Sequence, residues 1–279
     1  HDVVPQIESV SGIQIISIFF SVLSVAGMLV AFYFHQSIPS MTTKHFGRMF
    51  SHLLVSLLLS QLLFILSGLQ TGIKALCVII AAFQHYMWLV SFMWMNVLSV
   101  SYYRSFSSFY KKKEVMGLVF LKMYAFGIPA LIVGTCLGLH YFHKFQYGSE
   151  SFCWIIEQMQ LGLSFALPVG VVIIVNTTLF ILLSIQLRSA MATSADAQVQ
   201  VYENKQQFLM FAKLCSVTGL VWIIVFLPNI PGLGFMNYAV AILPSLNGFL
   251  LAVLFTANRK SVDFVKTRVS TLFSGNFTR

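Results

Sequence analysis

The chain has 279 residues, of which 58% are hydrophobic, 15% aromatic and only 9% charged, with a net charge of +9 and a mean hydropathy of +0.84. Soluble domains carry about 25% charged residues, so this composition excludes an ordinary cytosolic enzyme, a disordered tail and a disulfide-rich mini-protein. Its solvent is lipid, and at ~20 apolar residues per spanning helix the length holds one helical membrane domain and not two.

In chain order, the sequence starts at His1 with no basic segment and small-residue cleavage site, so a signal peptide, an ectodomain or both are expected upstream. Seven apolar runs follow at roughly 12–34, 47–69, 77–103, 116–138, 159–186, 207–228 and 237–257. They read as helices, because a backbone in lipid must satisfy its own polar groups. The expected fold class is an all-α membrane protein, a seven-transmembrane helix bundle over residues 1–257. Residues 258–279 set Val262, Phe264, Val265, Val269 and Leu272 among Lys and Arg. That spacing suits a short amphipathic C-terminal helix on the membrane surface, the alternative being a frayed tail.

The second span begins near His45, Arg48 and His52, and the third opens at Cys77. Ala81, Gln84, His85 and Trp88 share one face of the third span, which either lines a cavity or bonds to neighbouring helices. Asn96, Ser99 and Ser101 lie deeper. The fourth span is followed by a loop with His140, His143 and the pair Cys153–Trp154. Pro168 and Asn176 lie in the fifth span, and Gly219, Trp222, Phe226 and Pro228 in the sixth. Gly219 and Pro228 make the sixth helix easy to bend. Trp222 is either a ligand-sensing ring or a packed aromatic. The seventh span carries Asn247 and Gly248.

Basic residues orient the bundle. Lys44, Arg48, Arg104, Lys111, Lys112, Lys113, Lys122, Arg188, Lys205, Lys213 and the basic residues after position 257 fall on one side, and only Lys74 and Lys144 on the other. The rich side is expected in the cytoplasm, which puts the N-terminus outside and the C-terminus inside. The positive charge is then a topology and lipid signal rather than a nucleic-acid one. Cys77 and Cys153 both face the oxidising side, where a disulfide is expected, the alternative being two unpaired thiols. Cys136 and Cys215 fall inside spans as packing residues. There is no HExxH, CxxC, phosphate loop or Gly-x-Ser-x-Gly elbow, so the sequence supports neither catalysis, a metal nor a cofactor.

Read in order, these residues resemble the secretin/adhesion class of G protein-coupled receptors. The likeness rests on Cys77 with the Cys153–Trp154 loop, Leu57 to Phe64, Tyr124 to Pro129, Pro168 to Asn176, Gly219-Leu220-Val221-Trp222 and Ser245 to Phe249. Within the class, Trp94 to Ser99, Lys205-Gln206, Lys213 and Asn258 to Ser261 are similar to the methuselah-like subgroup. Leu98 and Phe50 stand where the class carries a Glu and a His of an inner polar lock, for which His52, Asn96 and Ser99 are the substitutes at hand.

The resemblance implies a plasma-membrane receptor and not an enzyme, with heterotrimeric G protein, an extracellular peptide or protein ligand or tethered agonist, and membrane lipids as partners. Its implied ligand contacts are His85, Trp88, Trp154, Trp222 and Phe226. Gly219, Pro228, Asn247 and Gly248 are its implied bending points. Arg104, Lys111, Lys112, Lys113, Arg188, Lys205 and Lys213 are its implied G-protein-facing set, although topology alone accounts for most of those charges. A membrane transporter or channel is the alternative; it calls for repeated or broken helices and a continuous polar pathway.

Overall fold

The computed structural model describes residues 4–37, 45–68, 73–106, 117–148, 153–191, 221, 224 and 237–256. Span one is the helix Val4–Ser37, span two His45–Gly68, span three Lys74–Phe106 and span four Leu118–Tyr141. Span five is composite: a short turn Gln158–Leu161, a π-helical turn Gly162–Ala166 and the long helix Leu167–Met191. Asn237–Thr256 is the seventh. The first five spans are each long and apolar enough to cross a membrane. The fold is all-α as expected. Within span six only Val221 and Ile224 are described, both helical, so Gly219, Trp222, Phe226 and Pro228 lie outside the described residues. So do Lys111 to Lys113, Lys205, Lys213 and the C-terminal segment.

Span three is the axis of the bundle. Its most apolar window is 72% buried, against 22% in spans one, four and five. It packs against spans two, four and five, while span one packs against spans seven and two. Trp88, Phe92 and Trp94 of span three and Phe165 of span five are fully buried, and Phe92 stands edge-on to Phe165. The outer faces of the other spans remain apolar and exposed, for instance Phe19, Val119, Met123 and Ile174. A helix that is apolar all round, with its polar side chains turned to the centre, belongs in lipid.

Small residues close the seam between spans one and seven. A Cβ on Gly27 would lie 3.1 Å from Ala252 Cβ, and one on Gly248 would overlap Ser24 Oγ and Met28 of span one. Helices in lipid associate by such close approach, since the bilayer supplies no hydrophobic drive between them.

The fifth span is not the continuous helix that its hydropathy implies. Pro168 has no N–H to give the carbonyl four residues back, Ser164, and its ring crowds that carbonyl. The turn around Ser164 widens to π geometry, the local outcome of a lost internal bond.

Candidate functional site

The end of the bundle that carries Cys77 is capped by the loop between spans four and five. Span four closes on itself as Phe142, His143 and Lys144 donate backbone N–H groups to the carbonyls of Gly138, His140 and Leu139. His143 (φ 58°) then reverses the chain. Tyr147 and Ile155 pair as an antiparallel bridge, and Gly148 N–H donates to Trp154 O at 2.8 Å. Cys153 is bonded to Cys77, with Cα atoms 5.0 Å apart, and Cys153 N–H reaches Ser67 O at the end of span two. Gly148 is required here. Its φ is +80°, and a Cβ would lie 3.0 Å from Cys77 Sγ.

Beneath the loop lies a polar triad. His85 of span three is fully buried; its Nε2 lies 3.2 Å from Ser164 O and its Nδ1 2.9 Å from the Tyr147 hydroxyl. A carbonyl only accepts, so Nε2 carries a hydrogen, and in the neutral ring Nδ1 accepts from the Tyr147 hydroxyl. His85 therefore supplies Ser164 with the donor that Pro168 lacks. Burial pushes the Tyr147 phenol well above its ordinary pKa, and the neighbouring Cys136 thiol adds to the shift, which keeps the hydroxyl a donor. His140 Nδ1 sits 3.0 Å from Phe145 O, holding the loop base to span four. Trp154 and Phe165 stand edge-on to His85 and to each other, with ring centroids 5.5 to 6.1 Å apart. Span five and the loop thus converge on one imidazole of span three.

Of the five expected ligand contacts, His85 and Trp88 are enclosed by this packing, Trp154 is half-buried above them, and Trp222 and Phe226 are outside the described residues. Gln84, beside His85, is also buried, and its Oε1 has no partner among the described residues. Of the two readings of this face, hydrogen bonding between elements is the one that His85 shows. Asn247 is 1% exposed, and Gly248 is wedged against span one. Arg104 lies half-buried near the far end of span three, and Arg188 lies on the long helix of span five.

A second polar knot lies nearer the basic end, and its pairing, unlike Asn96 and Asn176 themselves, is not legible in the sequence. Asn96 Nδ2 donates to Asn176 Oδ1 and Tyr124 hydroxyl donates to Asn96 Oδ1, both at 3.0 Å. It ties spans three, five and four. His52 instead stacks on Trp94 at 4.7 Å, and no hydrogen bond joins it to Asn96 among the described residues. Tyr147 and Ser164 were missed as well. Among the described residues no group of three His, Cys, Asp or Glu is placed to hold a metal.

Comparison with known proteins places this arrangement. Residues 7–251 match the profile of the seven-transmembrane receptors of the secretin family. The chain is 36% identical over 160 residues, 57% of its length, to human cadherin EGF LAG seven-pass G-type receptor 1. It is 26% identical over 231 residues, 78% of its length, to zebrafish (Danio rerio) adhesion G-protein coupled receptor G6, and 29% identical over 216 residues, 73% of its length, to dog (Canis lupus familiaris) adhesion G protein-coupled receptor E2. The matched stretch is 5%, 19% and 25% of those three proteins respectively, so the chain corresponds to a small part of each.

Proposed function

This chain belongs to the secretin family of seven-transmembrane receptors, and from that premise we propose that it passes an extracellular signal to heterotrimeric G proteins. Its N-terminus faces outward from the plasma membrane and the basic-rich side faces the cytosol, a reading supported by the distribution of Lys and Arg. The ligand is an extracellular peptide or protein, or a tethered agonist supplied by a preceding ectodomain. Trp154 is its first contact. Because His85 and Trp88 lie enclosed under the loop, they feel the ligand once Trp154 has shifted, and Trp222 and Phe226 complete the set from span six.

The observation that supports this reading most is the convergence on His85. A displacement of the loop at Trp154 is carried through Tyr147 and His85 to Ser164 in the π turn of span five. Loop, span three and span five therefore move as one unit or break a defined set of bonds. Differential ligand affinity for the two arrangements shifts their populations. Span six then swings outward about Gly219 and Pro228. Arg104, Lys111 to Lys113, Arg188, Lys205 and Lys213 receive the G protein. The G-type and G protein-coupled names of the relatives agree with this transducer.

The test is nucleotide exchange on purified G proteins of every class, with and without the receptor and with its Trp222→Ala variant. Receptor-dependent exchange that the variant lowers supports the proposal. Absence of exchange in every class, together with solute flux into receptor-loaded liposomes, overturns it in favour of a transporter.

A further inference from the structure

Spans two, three and four meet in a groove toward the basic end of the bundle. Its wall is aromatic: His52 lies nearly flat on Trp94, ring centroids 4.7 Å apart at 22°, and Phe126 stands edge-on to both at 6.2 and 5.7 Å. Trp94 is fully buried, while His52 and Phe126 are half-exposed. Lys122, one turn before Phe126 on span four, is half-buried and within electrostatic reach of His52.

The polar groups of this groove are donors in search of acceptors. The buried Trp94 Nε1–H has no partner among the described residues. Among the described residues no hydrogen bond engages His52 and no ion pair engages Lys122. Glu157 is the one carboxylate among the described side chains, and it lies at the opposite end of the bundle. A lysine within a span is costly unless its charge is met. Lys122 is four residues inside the start of span four at Leu118, ~6 Å at the α-helical rise, so its chain can reach the headgroup zone. On the helices that carry Lys122 and His52, the apolar side chains of Val119, Met123 and Val55 are 76%, 72% and 40% exposed, as residues that meet lipid are. Whatever fills it arrives from the lipid side.

We propose that this groove is a binding site for one anionic phospholipid, whose phosphate and ester oxygens are held by Lys122 and His52 beside the Trp94 ring. The occupant is a lipid rather than a soluble anion because the approach runs between apolar, lipid-facing side chains. The assignment rests on the membrane-receptor reading only in placing the groove in a bilayer, and G protein coupling does not enter it.

The experiment uses the purified full chain in detergent, exposed to equimolar phosphatidylserine and phosphatidylcholine, with retained lipid counted by native mass spectrometry. Phosphatidylserine is expected to be retained roughly fivefold over phosphatidylcholine, about the strength of one lysine at an anionic headgroup. Lys122→Gln brings the ratio toward parity. His52→Phe, which keeps the ring but removes its nitrogens, lowers the ratio. Replacing Lys111, Lys112 and Lys113 together by Gln leaves the first retained lipid in place. A wild-type ratio in Lys122→Gln, or loss only in the triple variant, overturns the site.

A second measurement keeps Lys122 and His52 in place: fluorescence quenching of the native chain by brominated phosphatidylserine against brominated phosphatidylcholine, with the Trp94 share taken by difference from Trp94→Phe. Stronger quenching of Trp94 by the serine lipid supports the site; equal quenching rejects it. Both readouts are independent of nucleotide exchange, so a failed coupling assay leaves this result standing, and the reverse.

Discussion

Ser24 of span one accepts the backbone N–H of Phe249 in span seven at 3.0 Å. In a regular helix that N–H would turn to the carbonyl of Ser245. One turn away, Gln61 of span two donates its Nε2–H to Pro244 O at 2.8 Å. The turn from Pro244 to Phe249 is therefore held by side chains of two neighbouring spans. Gly248 sits inside this clamp, where a Cβ would come within 2.7 Å of Met28 Cε. Its lack of a side chain serves close approach. Gly248→Ala is expected to cost about 1–3 kcal/mol by overpacking, read as a lower melting temperature of the purified receptor. Gly27→Ala should cost less, because its nearest neighbour would be Ala252 Cβ at 3.1 Å. An unchanged melting temperature in Gly248→Ala would rule out the clamp and leave a bending role.

The coupling between His85 and Pro168 can be tested without any ligand. His85 donates to a carbonyl that Pro168 cannot serve. His85→Phe leaves Ser164 O and the Tyr147 hydroxyl without that partner, which should cost about 1–3 kcal/mol. In a Pro168→Ala background the helix regains its own donor for Ser164. The same His85 change should then cost less, with a coupling of roughly 0.5–2 kcal/mol in a double-mutant cycle of thermal or denaturant stability. Strict additivity of the two changes would show that Ser164 does not link them.

The seven-span pattern was legible because lipid demands long apolar helices. The ends were less so: the helix of span one runs back to Val4, through Gln6, Glu8, Ser9 and Ser11, which suit a helix but not an apolar run. His85 stood out as a costly polar residue in a span, but its partners are 62 and 79 residues away, and no sequence period encodes such a meeting. Pro168 announced that Ser164 would lose its donor. Whether the helix kinks, widens or borrows a donor depends on what span three presents. Gly248 was ambiguous for a related reason: a missing Cβ permits bending and close packing alike, and Ser24 and Met28 decide between them. Asn96 and Asn176 were each visible as buried amides, but their pairing across 80 residues was not.

The disulfide should matter to the loop more than to the helices. Cys77 and Cys153 close a sequence separation of 76 residues, and removing a native disulfide typically costs about 2–5 kcal/mol. Cys77→Ser is expected to lower surface expression or melting temperature. Tyr147→Phe should leave the disulfide intact while removing the bond to His85, at about 0.5–1.5 kcal/mol. Mass spectrometry that finds both thiols free in well-folded material would remove the disulfide from this account.

The Asn96 knot gives a graded series. Asn96 serves two partners, Asn176 and Tyr124, each at 3.0 Å. Hydrogen bonds between helices in a membrane average ~0.6 kcal/mol and reach ~1.7 kcal/mol. Tyr124→Phe removes one bond and should lie near the lower figure. Asn176→Leu removes the other and also leaves an amide donor of Asn96 buried without an acceptor, so it should cost more. Asn96→Leu strands both partners and should be the most damaging of the three. Because the bonds share one residue, losses from Tyr124→Phe and Asn176→Leu should not simply sum to that of Asn96→Leu. Melting temperatures of the three single variants in one detergent decide the order. If Tyr124→Phe proves the costliest, its hydroxyl has a role that the bond to Asn96 does not explain.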